Sequence, residues 1–149
     1  MTNERRCWTK VSTPNLLSKC LIISDIITEL SLIHQALIDP YDQSVWFYHQ
    51  NLLSVFDPDT ADRTMAPNLT SSERLAYLRQ EIENIQEIID GAEDCKYIYQ
   101  ALIECTVLVS KVAGSLSSED RDQILSWLSE LKQLDPLRQR RWLDFEQTL

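Results

Sequence analysis

An all-α fold, a solenoid of antiparallel helical hairpins resembling a tetratricopeptide array, follows from three features of this 149-residue chain. Glycine occurs only twice, too rarely for the tight turns of a sandwich or a barrel. Apolar residues recur at spacings of three and four over long stretches, as one buried helical face requires. The breaks between those stretches carry helix start and stop chemistry: proline or a Ser, Thr or Asp cap at the beginning, and glycine at the end.

Residues 1–11 are polar and irregular, and the region from 12 to 149 carries the helices. Ser12-Thr13-Pro14 opens the first helix, with proline where its missing N–H costs nothing. Leu17, Cys20, Leu21, Ile23, Ile27, Leu30, Ile33 and Leu37 are read as its apolar face. Asp39-Pro40 ends it, because the residue before proline is pushed out of the α region. A second helix runs from about Asp42 to Val55. Asp57-Pro58 stops it, and 57–69 reads as a loop. Thr70 and Glu73 form a capping box at the start of a third helix. Leu75, Leu78, Ile82, Ile85 and Ile89 line its buried side, and Gly91 closes it. The fourth helix spans roughly Glu93 to Ala113. Ile98, Ala101, Leu102, Cys105, Leu108, Val109 and Val112 form its stripe, and Gly114 ends it. Ser117 and Asp120 cap a fifth helix carrying Ile124, Leu125, Leu128 and Leu131. Asp135-Pro136 begins a sixth, with Trp142 and Phe145. Short connections make neighbours antiparallel. Helices with narrow apolar stripes must stack on one another to bury them.

Composition narrows the function. Apolar residues make up 44% and charged residues 25%, an ordinary balance for a folded domain. A net charge of −9 repels phosphate backbones and argues against nucleic acid as a partner. The basic cluster Arg138, Arg140 and Arg141 reads as a solvated helix face. Lys19 and Asp25 interrupt the stretch from Leu16 to Ile33, so it is neither a signal core nor a membrane span. Cys7, Cys20, Cys95 and Cys105 match no zinc or redox spacing, and Cys20 and Cys105 read as small core residues. A reducing, cytoplasmic location fits that usage. Asn68-Leu69-Thr70 is then a chance glycosylation match, Thr70 serving as a cap. With His34 and His49 the only histidines, neither a metal site nor a catalytic residue is expected in this chain.

Two segments share a pattern. Asp39-Pro40-Tyr41-Asp42-Gln43-Ser44-Val45-Trp46 and Asp135-Pro136-Leu137-Arg138-Gln139-Arg140-Arg141-Trp142 each read Asp-Pro, then Gln, then Trp six residues after the proline. Proline sets the helix start, and the indole points back into the groove between paired helices. The units lie too far apart for the ~34-residue period of a tetratricopeptide array.

The run Pro40-x-Asp42-x-Ser44-x-Trp46-x-Tyr48, with His49 after it, resembles the repeat of protein prenyltransferase α subunits. The whole stretch 39–49, with 93–102 and 131–142, is most similar to the Rab-type (type II) geranylgeranyltransferase α subunit. The resemblance covers about 26–145. It implies a superhelix of helical hairpins wrapped around a β subunit that holds the catalytic zinc and the isoprenoid pocket. The implied reaction is transfer of geranylgeranyl from its diphosphate to C-terminal cysteines of Rab GTPases presented by an escort protein. It also implies that the family's N-terminal repeats are missing, leaving an apolar end face that favours self-association unless paired. Tyr41 stands where the family has its diphosphate-side lysine, and Asp42 where it has asparagine, so neither role carries over. Two alternatives stand beside this reading: the α subunit of farnesyltransferase and type I geranylgeranyltransferase, and a non-enzymatic helical-repeat scaffold. Pro40, Asp42, Ser44, Trp46, Tyr48, His49, Pro136 and Trp142 are the motif residues, read as packing or β-subunit interface. Trp46 and Tyr48 are expected to pack, Asp42 to cap the second helix with Ser44 in its first turn, and His49 to lie at the surface or to face the partner's active site.

Overall fold

The computed structural model describes residues 14–60 and 69–149, with side chains of the first helix from Ile23 onward. The expectations for 1–11, Ser12-Thr13, Leu17, Cys20, Leu21 and loop positions 61–68 lie outside the described residues. The described residues form six α-helices and no strand: α1 Pro14–Ala36, α2 Gln43–Leu53, α3 Ser71–Ile89, α4 Lys96–Ala113, α5 Ser118–Leu134 and α6 Gln139–Gln147. Short 3-10 turns follow α2 at Ser54–Phe56 and precede α6 at Pro136–Arg138. Each helix after a short turn packs on its predecessor, and α2 also packs on α4. The result is three stacked hairpins, α1/α2, α3/α4 and α5/α6.

Local chemistry explains the ends. Asp42 caps α2: its Oδ1 accepts the Ser44 backbone N–H at 3.0 Å and the Ser44 hydroxyl at 2.6 Å. Those bonds hold the Asp42 carboxyl below the usual range. Thr70 and Glu73 form the full capping box, each side chain accepting the other residue's N–H. Gly114 ends α4 at φ 85°, and Gly91 follows α3 at φ 88°. Both lie in the left-handed region that a Cβ disfavours. Ser117 accepts the Asp120 N–H at 3.1 Å to start α5.

Two starts differ from expectation. The fourth helix begins at Lys96 rather than Glu93, because 90–95 fold into successive turns, Ala92 N–H to Ile89 carbonyl and Cys95 N–H to Ala92 carbonyl. The sixth opens as a 3-10 turn at Pro136, and its α-helical part begins at Gln139. Proline tolerates this tighter turn, having no N–H to place.

The core runs through all three hairpins. On α1 the buried stripe is Ile26, Leu30, Ile33 and Leu37, whereas Ile27 is half exposed. The expected face included Ile27; the buried position is its neighbour Ile26. On α3, Leu78, Ile82 and Ile85 are buried, with Leu75 and Ile89 partly so. Helix α4 is covered by α2, α3 and α5, so Tyr99, Ile103 and Thr106 are buried beyond its expected stripe, while Leu108 and Val112 pack at the margin. Ile124, Trp127, Leu128 and Leu131 complete the core from α5. Arg79 of α3 forks onto Asp120 of α5, two bonds of 2.9 Å, tying the second hairpin to the third.

Candidate functional site

The motif residues divide between a folding device and a surface. Trp46 is buried, and its indole N–H donates to the Pro40 carbonyl at 2.7 Å. The same carbonyl accepts the Cys95 thiol at 3.1 Å. Trp142 is also buried, and its indole N–H donates to Asp135 Oδ2 at 3.3 Å. Between them the structure reveals a third unit that the motif comparison missed. Tyr99 is buried and its hydroxyl donates to the Glu93 carbonyl at 2.8 Å. Trp46, Tyr99 and Trp142 each stand four residues past the N-cap of their helix, Asp42, Cys95 and Arg138. Each aromatic ties the second helix of a hairpin to the loop before it. The middle copy escaped notice because tyrosine replaces tryptophan and Ala92-Glu93 replaces Asp-Pro; the shared offset was the available signal.

Two expectations are corrected. His49 is not at the surface: it is 0% exposed, with Nε2 at 2.8 Å from Glu81 Oε1. It lies three residues past Trp46, hence on the same inward face, and meets the indole edge-on at 5.5 Å between centroids. Tyr48, expected to pack, is 50% exposed and donates its hydroxyl to Glu29 at 2.7 Å. Of the remaining motif residues, Asp42 and Ser44 form the exposed cap, Pro40 supplies the carbonyl and Pro136 sits exposed in the 3-10 turn. Tyr41 bridges the α1/α2 turn to the second hairpin through Asp94.

The faces of α2, α4 and α6 next to these aromatics form a groove. Its larger cavity, about 380 Å³, is walled by Leu53, Ile103, Val107, Leu108, Trp142 and Phe145, with Gln50, Gln100, Glu104 and Arg141 as polar groups. A second cavity of about 150 Å³ shares those four polar residues and continues past Phe47, Tyr97 and Arg138. Gln50 donates to Glu104 at 3.1 Å. Burial pushes the Glu104 carboxyl up, opposed by His49 and Arg141. Ser54 and Asp57 also line the larger cavity, so the groove joins an apolar wall to both acidic and basic side chains.

The chemistry of the remaining groups is muted. Cys95 and Cys105 are both buried, and burial pushes both thiols up, which keeps them from being nucleophilic thiolates near neutral pH. Among the described residues no group of three or more His, Cys, Asp or Glu could hold a metal ion. His34, His49 and Glu81 meet at hydrogen-bonding distances, both histidines sharing one carboxylate oxygen. No described helix is long and apolar enough to cross a membrane.

No family model matches the chain. It is 29% identical over 125 residues, 81% of this chain and 36% of the relative, to the geranylgeranyl transferase type-2 subunit alpha of Schizosaccharomyces pombe. The match thus spans about a third of that relative's length, 36%. The match is long enough to take in most of the stacked hairpins, and so in sequence the chain resembles this type-2 alpha subunit through most of its helical region.

Proposed function

We propose that this chain serves as α-subunit material of a heterodimeric Rab geranylgeranyltransferase in the cytoplasm. Its groove along α2, α4 and α6 is the surface it presents to protein partners. The β subunit supplies the zinc and the isoprenoid pocket. The complex transfers geranylgeranyl from its diphosphate to C-terminal cysteines of a Rab GTPase held by an escort protein. The observation that carries this reading is the similarity to the type-2 alpha subunit, which runs through most of the repeat region. The buried thiols and the mixed apolar and charged groove support a role in assembly, with the bond-making groups on the partner.

The test is co-expression with a type-2 β subunit, then transfer of labelled geranylgeranyl to a Rab with its escort protein. A stable complex with transfer is the expected result. A complex with farnesyl transfer to other acceptors moves the reading to the alternative α subunit. No complex removes the enzyme reading and leaves a helical scaffold. Phe47 is exposed and Phe145 partly buried, and both line the groove. Phe47→Ala and Phe145→Ala are expected to weaken complex formation about tenfold or more, as aromatic anchors do. Unchanged binding in both variants would move the interface off this groove.

A further inference from the structure

We propose that the buried His34–Glu81–His49 link makes docking of the first hairpin onto the second pH-dependent, loosening it as the pH rises. The geometry is a carboxylate shared between two hairpins. Glu81, on α3, is 1% exposed. His34 of α1 places Nε2 at 2.8 Å from its Oε1 and 3.1 Å from Oε2, and His49 of α2 places Nε2 at 2.8 Å from Oε1. These are the basic side chains within ion-pair distance of Glu81 among the described residues, each a cation only when protonated. From α4, the Glu104 and Cys105 side chains also face the cluster. The buried Cys105 thiol is pushed well up and stays neutral; Glu104 carries a carboxyl. Among the described residues, a cation for Glu81 therefore comes from a histidine.

His34 is the group placed to supply it. Its side chain is 27% exposed, so it exchanges protons with solvent while the hairpin stays docked. His49 lies in the core and its Nδ1 has no hydrogen-bond partner, so a proton there would have no acceptor. With His34 charged, the inward carboxylate is neutralised and bonded. With both rings neutral, Glu81 is a buried anion held only by neutral donors, a state that opening relieves.

The signs agree. The hydrogen bond to Glu81 raises the His34 value above 6.5. Its contribution is fully present below 6.5 and is lost as pH rises through the raised value. At Glu81 burial pushes upward, but the hydrogen bonds from His34 and His49 and the charge on His34 prevail and hold the carboxyl at about 2. That contribution is present above 4.5 and fades only as pH falls towards 2. Other ties between the hairpins, Tyr41 to Asp94, Cys95 to Pro40 and Lys111 to Asp57, rest on donors that keep their protons well above neutral.

Hydrogen exchange on the full chain, corrected for intrinsic rates, tests this by comparing α1–α2 with α5 at about pH 6 and about pH 8. Opening of α1–α2 relative to α5 is expected to rise with pH, by at most about tenfold for each unit by which docking raises the His34 pKa. An NMR titration of the His34 ring supplies that shift. The rise should persist in Glu104→Gln, which controls for the other carboxyl, and vanish in Glu81→Gln. Equal protection at both pH values in the wild type overturns the proposal, and so does an undiminished rise in Glu81→Gln. Should that variant not fold, His34→Lys carries the test. A permanent cation keeps α1–α2 protected at about pH 8, and loosening equal to the wild type refutes the link.

Discussion

Removal of the Trp46 side chain probes the aromatic tie most directly, because the neighbouring Tyr48 gives an internal control on the same helix. Trp46 is 5% exposed, and truncating a buried tryptophan to alanine costs about 3–5 kcal/mol through lost burial and the cavity left behind. The lost indole bond to Pro40, 2.7 Å long, contributes about 1 kcal/mol. That carbonyl keeps the Cys95 thiol at 3.1 Å, so it is not orphaned and the penalty stays at the low end. About 4 kcal/mol is therefore expected for Trp46→Ala. In a chain of this size each kcal/mol moves Tm by about 2–4 °C, so the midpoint should fall by about 8–16 °C. Tyr48→Ala removes a half-exposed ring and one surface bond to Glu29, and should melt close to the wild type. Thermal unfolding followed by circular dichroism, with urea titration as a check, measures both. A Trp46→Ala shift within about 4 °C of the wild type, or equal shifts in the two variants, would refute the assignment of Trp46 as the packed tie and Tyr48 as surface.

The other two aromatic ties should rank by what each leaves behind. Tyr99→Phe deletes one hydroxyl bond to the carbonyl of Glu93, an exposed residue, and is expected to cost about 0.5–1 kcal/mol in urea unfolding. Trp142→Phe leaves Asp135, 4% exposed, with Lys96 at 3.6 Å as its remaining ionic partner. It should cost more, about 1–3 kcal/mol; the reverse order would contradict the geometry. Arg79→Ala tests the fork between the second and third hairpins. Arg79 is the main cause holding the Asp120 carboxyl below its ordinary value. A depressed carboxyl adds stability above the unfolded value near 3.8 and loses it as pH falls through the lower native value. The variant should lose about 1 kcal/mol or less near pH 7, since the arginine side chain is 51% exposed. Its stability should also fall less steeply below about pH 4. An unchanged slope in acid unfolding would show that the fork contributes nothing to native-state titration.

Helix starts and stops with a side-chain cap or a closing glycine were legible because their causes are local, whereas the starts at Lys96 and Gln139, which have no side-chain cap bond, were misplaced. The cap at Asp42, the box at Thr70 and Glu73, and the left-handed Gly91 and Gly114 depend on residues within one turn of each other. Side-chain direction was less legible where it depends on distant packing. Ile26 is buried and Ile27 half exposed, a difference of one residue that the spacing in an isoleucine-rich stretch did not settle. His49 could have been placed from sequence, since a residue three past a buried tryptophan shares its face and a residue two past does not. Glu81 could not have been placed that way. A glutamate beside Ile82 reads as a solvated residue until His34 and His49, 47 and 32 positions away in the chain, are brought to it. The groove was illegible for a related reason: its walls come from three helices, and no one of them shows a pocket by itself.

The three ties also account for how a repeat can fade in sequence and persist in structure. The device needs a buried ring, a polar hydrogen on its far edge, and an acceptor in the preceding loop. Trp46 with a carbonyl, Tyr99 with a carbonyl and Trp142 with a carboxylate all satisfy it. The letters Asp-Pro and Trp are therefore one solution among several, and the middle hairpin uses another. The tie occupies only the inward face of α2, α4 and α6. The residue one step on turns about 100° away, and there stand Phe47, Gln100 and Leu143, which the core does not bury. Phe47 and Gln100 line the groove. Folding thus constrains one face of each second helix and leaves the adjacent face free for binding chemistry. Partner choice is accordingly expected in the groove positions beside the ties, while substitutions at the ties themselves are read first as changes in stability.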